Sequence, residues 1–185
     1  TYKAILGVFL KFEEKIDWAI KEKPIETYKR IHARFNPETF EEFWEEWGNK
    51  QNDSIGAILF RIGELVNHHQ RKILKKPDHI RIVNKLIQYL DSVQYWQDED
   101  NGIWEEDEEV HASSVGACVA GLKAVKNIYG ITVPEDIIMK GEQTLNALLP
   151  RESKKKFVDL ALLSLIWPYN VVSPRQRDEI LKNVE

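Results

Sequence analysis

The sequence of 185 residues has little of what crosslinked, membrane-spanning or nucleic-acid-binding proteins need. Its single cysteine, Cys118, excludes an internal disulfide framework and fits a reducing compartment, so we expect a cytoplasmic protein. No apolar run approaches the roughly 20 residues of a membrane span, and the longest, residues 160–167, is interrupted by Ser164. Lysine and arginine form no stripe, which argues against a nucleic-acid partner because phosphate contacts need clustered cations.

Negative charge is concentrated in one part of the chain. The 30 acidic and 26 basic residues give a formal net charge of -4, and residues 98–109 hold eight acids and no base. This window lies in the longest stretch without a helical pattern, residues 95–110, which also contains Trp96 and Trp104. We expect most of its acids to face solvent, and we expect the loop to carry function, because long loops on helical scaffolds often do.

Apolar residues recur at helical spacing along most of the chain, without sustained period-two alternation. Gly116, Ala117, Ala120 and Gly121 predict a helix crowded on all sides, which is typical of an inner layer. The fold class is therefore all-α, with antiparallel hairpins in a two-layer array. Eight helices are predicted. They are residues 2–21, a short one after Asn36-Pro37, one from Asp53 or Ser54, one capped by Asp78, one capped by Ser113 or Ser114 and ending at Gly130, 134–149, 157–167, and one from Ser173-Pro174 to the end.

The acidic loop contains a carboxyl pair suited to proton donation. Glu105 and Glu106 directly follow Trp104 and lie among other acids. Packing on an indole and repulsion by like charges both raise the pKa of a carboxyl, which keeps it protonated near neutral pH. A carboxylic acid in that state can donate a proton to a leaving oxygen, as a general acid does.

A second group of residues fits a sugar site. Trp47 is followed by Gly48, by the amide residues Asn49, Gln51 and Asn52, and by Asp53 at a loop-to-helix junction. An indole can stack on a pyranose ring while amide and carboxylate groups bind its hydroxyls. Taken singly, Trp47 is more economically a core residue and Asp53 a helix N-cap.

Metal chemistry has little support in the sequence. His68 and His69 are adjacent and point to different helix faces, and the other three histidines are far apart, so we expect no metal site and no cofactor. An EF-hand with Gly102 at its sixth position would begin at Gln97 instead of aspartate, which excludes that motif. Weak calcium binding by the acid cluster stays open.

Four sequence stretches together resemble the glycoside hydrolase family 15 domain, and within it the version found in phosphorylase kinase α and β regulatory subunits. They are GIWE at 102–105 followed by HASSVG at 111–116; HARFN at 32–36; Trp47-Gly48 with Gln51 and Asp53; and LNALLPR at 145–151 with Val158-Asp159 and LLS at 162–164. The four stretches occur in register over about four fifths of the chain.

The resemblance implies a glucoamylase-like (α/α)6 toroid with a funnel for the end of an α-glucan or maltooligosaccharide. It assigns Glu105 as general acid of an inverting, two-carboxylate hydrolysis. It places Trp47 at a sugar-stacking position, and with Gln51 and Asp53 we expect it to bind substrate. We expect the same of three residues near Glu105, namely Trp104, Glu106 and His111.

Two elements of the family pattern, a Trp-Val-Arg-Asp sugar-binding stretch and the general base, are not found in the sequence. We expect them before Thr1 and after Glu185, which makes residues 1–185 a single domain from the centre of a longer toroid, a partial toroid inactive by itself. Its uncovered apolar surface predicts self-association. The alternative function is a non-catalytic carbohydrate-sensing or regulatory module, and a third interpretation is a helical scaffold with an acidic loop.

Overall fold

A computed structural model describes residues 2–43, 50–105 and 107–184. In this part of the chain, regular structure is helical, and only two isolated antiparallel bridges occur, Phe35 with Glu42 and Asp100 with Glu109. The all-α class is confirmed. None of the helices described is long and apolar enough to cross a membrane. The helices are α1 (Tyr2–Lys11), α2 (Glu13–Lys21), α3 (Asn52–Asn67), α4 (Pro77–Val93), α5 (Ala112–Val125), α6 (Glu135–Leu148), α7 (Leu163–Ile166) and α8 (Pro174–Val184).

Helices α3 and α5 pack so closely that their backbones touch. A Cβ added to Gly56 would lie 2.5 Å from the backbone of Ala117, and one added to Gly63 would lie 2.5 Å from the Cβ of Ala124. Gly121 faces the carbonyl oxygen of Gly56 in the same way. Only glycine permits this approach, so these three positions fix the distance between the two helices.

Helix α5 is the centre of the molecule. Every residue from Ala112 to Leu122 is buried, which confirms the predicted inner-layer helix. α3, α6 and α7 pack against α5, while α1 and α2 pack on α4 and α8 packs on α7. The hydroxyl of Tyr95, a fully buried side chain, donates to the carbonyl of Ile137 at 2.8 Å and ties the end of α4 to α6.

The first predicted helix is divided at Phe12. This residue leaves the helical region (φ -100°, ψ 21°), although its N–H still donates to Val8 and its carbonyl still accepts from Ile16. The ring of Phe12 packs against Phe35, with 5.6 Å between centroids. The break is therefore a local distortion at Phe12, whose own backbone hydrogen bonds to α1 and α2 are kept.

The short helix predicted after Asn36-Pro37 is wrong for the residues described. Asn36 Oδ1 accepts from the backbone N–H groups of Glu38 and Thr39 at 2.9 and 3.1 Å, so it closes a turn instead of capping a helix. Phe40 has a φ of 58°, and the chain then returns to pair Glu42 with Phe35. An asparagine side chain makes the same hydrogen bonds to backbone N–H groups in a turn and at a helix N-cap. The sequence alone therefore did not distinguish a turn from a helix after Asn36.

Several predicted helix ends also move. α3 begins at Asn52 and α4 at Pro77, so Asp53 and Asp78 are not N-caps, and α5 begins before the two serines predicted to cap it. α5 ends at Val125, well before Gly130. The helix predicted from residue 157 starts only at a 3-10 turn, Leu160–Leu162, because Asp159 caps that turn by accepting from the N–H of Ala161.

Candidate functional site

The loop that joins α4 to α5 is closed by its own backbone. Asp100 and Glu109 exchange two hydrogen bonds of 2.9 and 3.0 Å, which brings the two arms of the loop together. Gly102 lies between them with a φ of 63°, and a Cβ there would be 3.0 Å from the ring of His111. Position 102 thus requires glycine for both conformation and space.

Buried polar contacts fix the loop to the start of α3. The carboxylate of Asp98 accepts from both terminal nitrogens of Arg30 at 2.5 and 2.8 Å, and also from Asn52 Nδ2. Asp100 Oδ2 accepts from the backbone N–H of Asn52 at 3.0 Å, and its Oδ1 accepts from Gly102. Bidentate, buried contacts of this kind hold a loop in one conformation.

The expectation that the acids of the loop face solvent is therefore only partly correct. Glu99, Asp107 and Glu108 are exposed. Asp100 is 1% exposed and the side chain of Asp98 is 7% exposed. Asp100 binds the backbone N–H of Asn52, and Asp98 binds the side chains of Asn52 and Arg30. Within the described residues, five of the eight acids of the run contact a cation or a backbone N–H: Asp98, Asp100, Glu105, Glu108 and Glu109.

Asp53 lies in the first turn of α3, close to this cluster. Burial raises its pKa to about 6; hydrogen bonds to the backbone and the charge of His111 oppose the rise, and the charge of Glu105 adds to it. Its Oδ1 is buried without a hydrogen-bond partner among the residues described. Burial and the charge of Asp53 also raise the pKa of Asp100. In this site the neutral, protonated form of the two carboxyls is favoured relative to the charged form.

His111 supplies the positive charge of the cluster. Its Nδ1 lies 3.4 Å from Glu152 Oε1, and its Nε2 lies 3.3 Å from the carbonyl oxygen of Asp107. Burial alone would lower the pKa of His111, but its hydrogen bond with Glu152 and the charge of Asp100 outweigh this and raise the pKa. Glu152, which is also buried, accepts from the hydroxyl of Ser113 at 2.5 Å and so holds the first turn of α5.

Glu105 lies at the surface of the loop, with a φ of 59°. Its Oε2 lies 2.8 Å from Nη2 of Arg34, a half-exposed pair. With Asp107, Glu109, His111 and two lysines, Glu105 lines an open cleft of about 580 Å³. Several carboxylates and a cationic histidine thus face a space that a sugar ring could enter.

Trp104 stands beside this cleft with 56% of its surface exposed. Its indole N–H donates to Asp159 Oδ1 at 2.7 Å, and the same oxygen accepts from the N–H of Ala161. Asp159 Oδ2 pairs with Lys156. The indole is therefore held by its N–H while more than half of its surface remains exposed, as an aromatic ring that contacts a ligand requires.

The predicted site residues fall into three groups. Gln51 and the backbone N–H of Glu105 donate to the carbonyl of Gly102 at 3.3 and 3.1 Å, and His111 packs against the same glycine; Asp53 is close enough to Glu105 and His111 for their charges to act on its pKa. Trp104 stands at the side of the cleft. Trp47 and Glu106 lie outside the described residues. The roles of all seven predicted site residues stay predictions.

Sequence reasoning did not assign a role to several residues of this cluster, namely Arg30, Arg34, Asp100, Glu152 and Asp159. Each contacts the loop from a distant part of the chain, except Asp100, which lies within the acidic run and carries no local sign of its burial. Arg34 and Asp159 occur in the family-like stretches, and this was the one available signal. Buried ion pairs between remote residues have no local sequence pattern.

Comparisons with known proteins agree on one family. The model of the family described as "Glycosyl hydrolases family 15" matches residues 17–171. The α regulatory subunit of phosphorylase b kinase from Oryctolagus cuniculus skeletal muscle is 28% identical over 84% of this chain. The probable β regulatory subunit from Drosophila melanogaster is 24% identical over 79% of it. The chain spans only 14% and 16% of those two proteins.

Solved glycosidases share the fold. A glycosidase variant in complex with glucose superposes with a TM-score of 0.79 at 19% identity, over 98% of this chain and 53% of that one. A wild-type glycosidase gives a TM-score of 0.74 over 98% and 52%. The helical array is therefore the glycosidase (α/α)6 toroid fold, and the chain spans about half the length of these structures.

Proposed function

The chain belongs to family 15 of the glycosyl hydrolases, and from this premise we propose that it is the central part of a glucoamylase-like domain acting on α-glucans or short α-glucosides. Glu105 is the general acid. The observation that carries this assignment is the position of its carboxylate, which faces an open cleft of about 580 Å³ from a loop fixed by buried contacts. A proton donor must be held within reach of the leaving oxygen, and this loop meets that requirement.

The neighbouring residues have complementary roles in the proposal. The face of Trp104 stacks on a pyranose ring, and Asp159 holds the indole by its N–H. Gln51, Asp53 and His111 present amide, carboxyl and imidazolium groups near Gly102, where they orient sugar hydroxyls. Trp47 and Glu106 complete the binding set. The second carboxylate of an inverting reaction, which activates a water, comes from another part of the full-length domain.

A second candidate function is a sugar-binding regulatory module without catalysis. The specific observation in its favour is the ion pair between Glu105 and Arg34, which occupies the carboxylate oxygen Oε2. The relatives named as kinase regulatory subunits support the same idea. For either function we propose a maltooligosaccharide or α-glucan as ligand. We also propose a cytoplasmic location, supported by the free, buried thiol of Cys118.

One pair of measurements on the full-length protein separates these functions. Titration calorimetry with maltotriose gives binding, and a coupled glucose assay at saturating maltotriose gives turnover. Binding with steady release of glucose supports the hydrolase. Binding without release overturns the hydrolase and supports the regulatory module, and absence of both overturns the two together.

A further inference from the structure

A second cleft, of about 720 Å³, lies at the far end of α3 and α5 from the acidic loop. Its walls are the last residues of α3, the connection to α4, the start of α4, and the turn 127–130 after α5. The two clefts are separated by the length of α3, whose 16 residues span about 24 Å. The volume falls in the range of small-molecule sites.

The charge of this cleft is positive and uncompensated. Arg71, Lys72 and Lys75 line it. Of the carboxylates that the structure describes, none pairs with any of these three cations, whereas most other lysines and arginines form ion pairs. The two acids nearest in sequence are engaged elsewhere, since Glu64 contacts His68 at 3.4 Å and Asp78 contacts Arg81.

The geometry of the connection keeps these cations together. The backbone N–H of Arg71 donates to the carbonyl of Leu65 at 2.7 Å, which folds the connection back on the end of α3. His79, which is buried, contacts the carbonyl of Ile73 at 3.0 Å from the α4 side. The segment that carries the three cations is thus attached to both α3 and α4.

The remaining lining is suited to a small polar molecule. Three amide side chains, Asn67, Gln70 and Asn127, line the cleft together with apolar residues that include Leu74 and Ile128; Asn67 Nδ2 donates to the carbonyl of Ala124 at 2.8 Å, which leaves its amide oxygen as the acceptor. A guanidinium binds phosphate oxygens in a bidentate manner, and ammonium groups add point charges. Amides donate to and accept from hydroxyl groups.

We infer that this cleft binds a hydroxylated phosphomonoester of monosaccharide size. Arg71 and the two lysines bind the phosphate, and the amides bind the hydroxyls. Such a site lies at the opposite end of α3, a helix about 24 Å long, from the acidic cleft, and it differs from that cleft in the sign of its charge, so the two clefts take different ligands.

Calorimetry at low ionic strength tests this site with three probes: inorganic phosphate, glucose 6-phosphate and glucose. We expect glucose 6-phosphate to bind at least about fivefold more tightly than phosphate, and glucose not to bind in this cleft. The double variant Arg71→Gln/Lys75→Gln weakens glucose 6-phosphate binding at least about tenfold. The matched control, Lys21→Gln/Lys182→Gln, removes the same charge from exposed positions on α2 and α8 and keeps binding.

Hydrogen exchange locates the ligand independently of the variants. Glucose 6-phosphate should protect amides in residues 66–80 and 127–130 and leave residues 96–111 unchanged. Protection of residues 96–111 instead, binding that survives in the Arg71→Gln/Lys75→Gln variant, equal affinity for phosphate and glucose 6-phosphate, or absence of binding by both would each overturn the site. Unchanged circular dichroism and melting temperature verify that both double variants are folded.

Discussion

Arg34 Nη2 lies 2.8 Å from Glu105 Oε2, so the proposed proton donor of this domain is held by a cation from a stretch 71 residues earlier in the chain. This contact engages Oε2, which is the observation that favours the regulatory alternative; in the hydrolase account the other carboxyl oxygen, Oε1, carries the proton to the leaving group. Arg34 is in this account a positioning residue: it fixes the side chain of Glu105 above the cleft. The pair is half-exposed, and its contribution to stability is below about 1 kcal/mol.

Arg34→Gln should therefore lower kcat for maltotriose about 10-fold to 100-fold and leave KM and the melting temperature nearly unchanged. Arg34→Lys keeps a cation at this position and should recover part of the loss. Steady-state kinetics measures kcat and KM separately, and calorimetry measures the affinity for maltotriose. A rise in KM with unchanged kcat would show that Arg34 binds substrate instead of orienting Glu105.

Asp53→Asn should stabilise the fold in a pH-dependent way. The pKa of Asp53 is raised from 3.8 to about 6 in the folded protein. A carboxyl with a raised pKa contributes its full stability while protonated, below about pH 4, and loses it as the pH rises through about 6. The variant should therefore match the wild type near pH 4 and exceed it by about 3 kcal/mol at pH 8.

Urea denaturation at several pH values measures this difference, with Asp107→Asn as the control because Asp107 is exposed on the same loop. A difference between Asp53→Asn and wild type that does not change with pH would contradict the buried position of Asp53. Since Asp53 also belongs to the proposed sugar site, the stabilised variant should bind maltotriose more weakly.

Gly56→Ala should destabilise the protein by about 2 to 3 kcal/mol, because the new Cβ would meet the backbone of Ala117 at 2.5 Å and push α3 from α5. Gly7→Ala is the matched control: Gly7 is also helical, nothing lies within 4 Å of its added Cβ, and alanine there should stabilise α1 by up to about 1 kcal/mol. Urea denaturation of both variants provides the comparison. Equal effects would mean that α3 and α5 do not touch through their glycines.

The isolated 185-residue chain should self-associate through an apolar cleft of about 460 Å³ between α1, residues 32–40 and α3. Phe40 lines this cleft and is 39% exposed at a φ of 58°. Phe40→Asn should reduce association without loss of stability, because asparagine tolerates a positive φ better than phenylalanine. Light scattering at micromolar concentration measures the mass, and a monomeric wild-type chain would refute the prediction.

Local sequence patterns predicted the all-α class and the crowded centre of α5, because small residues such as Gly116 and Gly121 at helical spacing allow neighbouring elements to approach closely. They failed where one pattern has two outcomes, as at Asn36, which closes a turn through the hydrogen bonds of a helix cap. They also failed where a contact joins distant residues. The burial of Asp100 and Asp98 depends on Asn52 and Arg30, and no feature of the acidic run itself distinguishes those two from Glu99.

The most direct test of the central claim is the effect of Glu105→Gln on the full-length protein. Glutamine keeps the size of the side chain but cannot donate a catalytic proton, so turnover of maltotriose should fall at least about 1000-fold while its dissociation constant stays within about threefold. Glu99→Gln, which removes an exposed acid of the same loop, should leave turnover unchanged. Turnover by Glu105→Gln equal to that of Glu99→Gln would contradict the assignment of Glu105 as the general acid.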